Sequence, residues 1–138
     1  VNKAVDYVKS LPFVQSSRIG IIGFSRGGLL TYQAAIWRQD LKAIIIMASA
    51  VHPSMDLSLA GAISAPVLVL VSENDTGSRR THGRNTLKIT KQLAHALQAT
   101  DKDVPLIISP PYSDDGHTLF FSMGSYWRDV VTFLGTHL

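Results

Sequence analysis

The residues best suited to chemistry lie in Gly23-Phe24-Ser25-Arg26-Gly27-Gly28, which fits G-x-S-x-G. A short apolar, β-branched run, Arg18-Ile-Gly-Ile-Ile-Gly23, precedes it, and a helical pattern over Gly27–Arg38 follows. A serine placed there sits on a tight strand-to-helix turn that lifts its hydroxyl above a sheet. The positions two before and two after it, Gly23 and Gly27, are expected to be small so that the turn can close. The hydroxyl then lies near a helix N-terminus, whose dipole favours developing negative charge, and the Arg26 N–H becomes an oxyanion-hole donor. Two plainer readings use the same glycines: a phosphate cradle, or a turn that only packs. A dinucleotide site fits poorly. It needs G-x-G-x-x-G and an acid roughly 20 residues on, whereas the glycines stand at 20, 23, 27 and 28, and Asp40 falls before the second strand.

A serine nucleophile needs a base and a carboxylate to orient it. Of five histidines, His95 falls mid-helix, His137 at the chain end and His82 among arginines. His117, in Ser113-Asp-Asp-Gly-His117, follows the fourth strand in a turn that can present an imidazole, and His52, after the second strand, competes with it. Asp75, in Ser72-Glu-Asn-Asp75-Thr-Gly77, is the expected orienting acid. Glu73 is its alternative, while Asp114 and Asp115 suit the shaping of the turn before Gly116.

These groups need a frame. Helical spacing runs over Val1, Ala4, Val5, Val8 and Leu11, and returns over Asn85–Thr100 (Leu87, Lys91, Ala94 and Leu97 on one stripe) and Ser125–Leu138 (Trp127, Val130, Val131 and Leu134 inward). Short apolar runs at Lys42–Met47, Pro66–Ser72 and Val104–Ser109 read as further strands, with a helical turn within Pro53–Leu59. Strands apolar on both faces and separated by helices predict an α/β fold: a mostly parallel sheet of about four strands flanked by helices. Ligands bind such sheets at the carboxyl ends of the strands. That rim holds Ser25, residues 48–55, 73–76 and 110–117. Met47, Met55, Leu119 and Phe120 are the expected acyl-pocket lining, unless they serve the core.

Composition narrows the class. The 138 residues are 46% hydrophobic with net charge +3, so the chain is not disordered and makes one domain, 1–138, minimal or truncated. Absence of cysteine excludes disulfides, a thiol nucleophile and thiolate metal sites. No apolar run approaches the roughly 18 residues of a membrane span, so no membrane partner and a cytoplasmic location are expected. Basic residues are dispersed; the densest group, Arg79, Arg80 and Arg84, has no interleaved aromatics and reads as a solvated loop face, not as a nucleic-acid surface.

Three stretches carry a resemblance: Arg18–Gly28, then Ala65-Pro-Val-Leu-Val-Leu-Val-Ser-Glu-Asn-Asp75, then Gly116-His117 with Phe120 and the closing helix. With the order Ser, Asp, His, separated by 50 and 42 residues, the chain resembles the α/β-hydrolases of the dienelactone-hydrolase-like group. The resemblance covers nearly the whole chain, but only the C-terminal part of that fold. It implies Ser25 as nucleophile, Asp75 as acid and His117 as base, with no cofactor and no metal. Dienelactone hydrolases proper carry a cysteine nucleophile; serine points to esterase-like and peptidase-like relatives. The expected activity is hydrolysis of a small carboxylic ester, short-chain in its acyl part, through an acyl-enzyme. The alternatives are a small peptidase-like hydrolase, or a non-catalytic remnant serving as a binding or dimerisation module. The family's upstream strands have no match here. The second oxyanion donor therefore lacks a source, and Arg18–Gly23 becomes a sheet edge for which a homodimer is the expected cover.

Overall fold

β2 (Ala43–Met47) and β3 (Val67–Ser72) are strands because their apolar runs are buried on both faces, so no alternation of polar residues is needed. β1 (Gly20–Phe24) and β4 (Leu106–Ser109) flank them, giving the all-parallel order β1-β2-β3-β4. The register pairs Phe24 with Met47, Met47 with Leu70, and Ser72 with Ser109. β1 and β2 end level with Leu70, β3 and β4 run slightly further, and the loops that follow all four share one rim. The computed structural model describes residues 1–100 and 102–138.

Period two divides the sheet's side chains between two cores. Ile44, Ile46, Val67 and Val69 face α2 (Arg26–Trp37) and α3 (Thr86–Gln98), where Tyr32, Ala35, Leu93 and Leu97 complete one core. Ile45, Met47, Leu68 and Leu70 face α4 (Trp127–His137), with Val130, Phe133, Phe120 and Tyr126 in the other. Each buried aliphatic side chain contributes roughly 1.5–3 kcal/mol. Tyr32 donates its hydroxyl hydrogen to Asp56 O at 2.8 Å, and burial first, then the Asp56 charge, pushes its pKa up to about 12.

Three expectations change. On α3 the inward stripe is Thr86, Thr90, Leu93, Ala94 and Leu97, with Lys91 exposed, because the helix turns its Thr-bearing side to the sheet. On α4 Phe133 is buried in place of Val131, which is exposed. The turn in the β2–β3 connection is a 3-10 segment at Leu57–Ala62, started by Asp56, whose carboxylate accepts the Ser58 N–H at 3.0 Å. The first expected helix is present as α1 (Asn2–Ser10); it buries none of its residues, and Val5 leans on the core. It is held by charge instead: Arg38 reaches Asp6 at 2.6 Å and Asp40 at 2.7 Å, and Lys9 also meets Asp40. Among the described residues no helix is long and apolar enough to cross a membrane.

Candidate active site

Ser25 stands between β1 and α2 with φ 55° and ψ −116°, a left-handed conformation costly for a non-glycine residue. Its surroundings over-determine it. Ser25 N–H donates to Met47 O at 2.9 Å, while Ser25 O accepts from Ala50 N at 2.9 Å and Leu29 N at 3.2 Å. Gly23 is required by contact: a Cβ there would lie 2.2 Å from Gly27 O and 2.4 Å from Thr31 Oγ1. Gly27 is not, since a Cβ on it would meet nothing within 4 Å, which corrects the expectation that both positions must be small. The turn closes by bringing Gly27's backbone onto Gly23, so only Gly23 lies on the crowded side.

Asp75 follows β3, and His117 lies in a second 3-10 segment, Gly116–Phe121, after β4. The turn expected at Ser113–His117 thus runs on into a short helical segment. Asp115 starts it by accepting the His117 N–H at 3.0 Å, the turn-shaping role expected of it. The three groups converge: His117 Nδ1 donates to Asp75 Oδ2 at 2.8 Å, and the Ser25 hydroxyl donates to His117 Nε2 at 3.0 Å. With Asp75 holding the proton on Nδ1, Nε2 is left as the acceptor facing the hydroxyl. Asp75 and His117 are 1% and 4% exposed, so water competes little for this pair. Phe24 stacks on the His117 ring, centroids 4.7 Å apart, backed by Phe120 at 5.7 Å and Phe121 at 5.8 Å.

The competing residues are engaged with other partners or exposed. His52 borders the same cleft, but its Nδ1 is engaged with the Ser54 hydroxyl at 2.8 Å and with Ser54 N–H at 3.2 Å. Glu73 and Asp114 are exposed. Met47, Leu119 and Phe120 do not line the cleft; all three are buried in the α4-side core, because they sit beneath the rim rather than on it. Met55 packs against the opposite core.

The cleft above Ser25, of about 200 Å³, is cationic, lined by Arg26, Arg80, Arg84, His52 and His82 beside His117. Arg80 lies over the Phe121 ring at 5.7 Å, and Arg84 Nη1 donates to Val51 O at 3.1 Å. Two members of the arginine cluster expected on a solvated face thus border the site. They belong to the loop that leaves Asp75. Arg26 begins α2, so its N–H belongs to the first turn, directly after Ser25.

The model of the dienelactone hydrolase family matches residues 1–132. The Pyrococcus furiosus esterase Pf2001 is similar in structure, with TM-score 0.74 at 15% identity, over 99% of this chain and 60% of that one. A thermostable esterase gives 0.75 at 17%, over 98% and 35%. The Pyrococcus horikoshii acylaminoacyl peptidase gives 0.66 at 22%, over 86% and 23%. At these identities the likeness is one of fold, and the chain spans at most about three-fifths of these structures' lengths. No curated protein matches the chain.

Proposed function

Because the chain belongs to the dienelactone hydrolase family, we propose that it is a cytoplasmic serine hydrolase cleaving small carboxylic esters through an acyl-enzyme. One observation carries this reading: Ser25, His117 and Asp75, from three separate loops, meet at 3.0 and 2.8 Å. Ser25 Oγ attacks the ester carbonyl carbon as its proton passes to His117 Nε2. Asp75 stabilises the imidazolium that forms, and the Arg26 N–H, at the start of α2, donates to the oxyanion. His117 then returns the proton to the departing alcohol. Water, deprotonated by the same nitrogen, releases the acid and restores Ser25.

The small cleft supports a short acyl chain. Its guanidinium groups support an ester with a negative charge in its acyl or alcohol half, since that charge would lose little on leaving water for paired arginines. Cleavage of short peptides uses the same groups and is the second activity to assay. The expected experiment is turnover of nitrophenyl acetate and butyrate with wild type and Ser25→Ala, alongside fluorophosphonate labelling. Wild type is expected to turn over and to take up one label at Ser25. Ser25→Ala loses about 10⁴-fold or more in kcat and takes up none. Wild-type turnover unchanged in Ser25→Ala overturns the assignment. Folded wild-type protein that neither turns over nor labels favours the binding-module reading.

A further inference from the structure

The loop carrying Asp75 and the loop carrying His117 leave different strands, and one side chain joins them. Asn74 Oδ1 accepts the Tyr112 N–H at 2.9 Å and the Ser72 hydroxyl at 2.8 Å. Asn74 Nδ2 donates to Ser113 O at 3.0 Å and Tyr112 O at 3.3 Å. Both ends of the amide are therefore used across the gap between β3 and β4. The segment it grips precedes His117 by four residues and includes Ser113, held at φ 49°. Gly116, next to His117, packs on the same group: a Cβ there would stand 2.4 Å from Asn74 Oδ1 and 2.7 Å from Asp75 N.

We propose that Asn74 is a positioning residue that sets the His117 imidazole against Asp75 and Ser25. The proposal rests, for its kinetic part, on the serine hydrolase reading above. The chemistry of the amide explains the choice of residue. Asparagine alone among side chains of its size offers an acceptor to one backbone N–H and donors to two backbone carbonyls. Aspartate keeps the acceptor and turns a carboxylate oxygen on the carbonyls of Tyr112 and Ser113; alanine keeps neither. Without this clamp, residues 110–115 are a strand-end loop with, among the described residues, the Ser72 hydroxyl to Pro110 O, at 3.2 Å, as the remaining hydrogen bond from β3. A misplacement of about 1 Å at a reacting group can cost on the order of a hundredfold in rate.

The test compares wild type, Asn74→Ala and Asn74→Asp. In Asn74→Ala, kcat on nitrophenyl acetate is expected to fall about ten- to a hundredfold, with KM within about twofold. The low-field proton resonance of the His117–Asp75 hydrogen bond is expected to broaden or vanish, while the thermal midpoint and far-ultraviolet dichroism stay close to wild type. Asn74→Asp, nearly isosteric and so the variant that best preserves folding, is expected to lose at least as much kcat as Asn74→Ala and answers the question alone if alanine unfolds the chain. An unchanged resonance with kcat within twofold of wild type in the folded variants overturns the proposal. Loss through KM alone also overturns it. The resonance needs no turnover, so a wild-type chain without activity sinks the hydrolase reading while the spectrum still judges Asn74.

Discussion

Two glycines two residues either side of Ser25 look equivalent in the motif and are not. A methyl group at Gly23 would overlap Gly27 O and Thr31 Oγ1, and backbone cannot move aside without opening the turn. Gly23→Ala is expected to destabilise the chain by several kcal/mol, as an overpacked, backbone-limited site does (~1–3 kcal/mol or more), and to abolish fluorophosphonate labelling of whatever folds. Gly27→Ala, in open space within the first turn of α2, is expected to keep labelling and to raise stability by up to about 0.5–1 kcal/mol through helix propensity. Equal behaviour of the two in a denaturant titration would contradict this account. The cationic cleft gives a second prediction. Arg84→Ala is expected to raise KM for a nitrophenyl hemisuccinate about tenfold while leaving nitrophenyl butyrate within twofold, because it removes a charge partner and leaves the triad intact. Steady-state kinetics on the two esters checks it. The convergence of Ser25, Asp75 and His117 was legible because each lies beyond the carboxyl end of its own strand, Ser25 and Asp75 closely and His117 at the far end of a loop. The placement of Arg80 and Arg84 was not. Their approach to the cleft depends on a loop bent back by Gly77 (φ 127°) and Gly83 (φ 72°), with Gly83 N–H donating to Ser78 O at 2.7 Å, and no spacing rule encodes that path.

Elements were legible in proportion to how fully they are buried. β2 and β3, covered on both faces, announce themselves as unbroken apolar runs, whereas α3 and α4 each bury only one side, and the side is fixed by partners distant in sequence. On α4 that decision takes Phe133 inward and leaves Val131 out. The 3-10 segment that holds His117 was missed because Gly-His-Thr-Leu-Phe-Phe has no period to read; its cap, Asp115, is its one local signal. α1 is the sharpest case: an apolar stripe suggests core packing, yet charge on Arg38, Asp40, Asp6 and Lys9 is what docks it. Arg38 first, then Lys9, holds the Asp40 carboxyl well below the usual carboxylate range. A lowered folded value means that the contribution is complete above the unfolded value near pH 4 and is lost as pH falls toward the lower folded one. Asp40 is 39% exposed, so solvent screening keeps the gain to about 0.5–1 kcal/mol. Asp40→Asn is expected to lower stability by that amount at pH 7, with the gap to wild type narrowing as pH falls below about 4. Urea titrations across that range read the difference, and a gap that stays constant or widens toward acid would falsify the pairing.

At the scale of the molecule, the sheet has two edges, and they differ in danger. β4 carries Ser109 at its end and is short; β1 is Gly-Ile-Ile-Gly-Phe, unpaired along one side among the described residues. Its Ile22 is 42% exposed, pointing to the same face as Phe24, and an apolar edge strand with unpaired backbone groups invites another strand. Covering it with a second copy is the homodimer expected from the sequence. The size of the effect follows from the surface removed. Burying the exposed part of one isoleucine at each of two symmetric edges yields only about 1–2 kcal/mol, so backbone pairing along five residues must supply the remainder. Such an association should be concentration-dependent in the micromolar range, on the order of 8 kcal/mol in all. Ile22→Lys places a charge on the free edge and leaves the register of β1 on β2 untouched, so it is expected to shift the chain to monomer in sedimentation velocity while Ser25 keeps its fluorophosphonate reactivity. A wild-type chain that sediments as a monomer at several hundred micromolar removes the second copy as the cover for β1. A variant that loses both association and labelling would instead tie the edge to the integrity of the Ser25 turn, which directly follows β1.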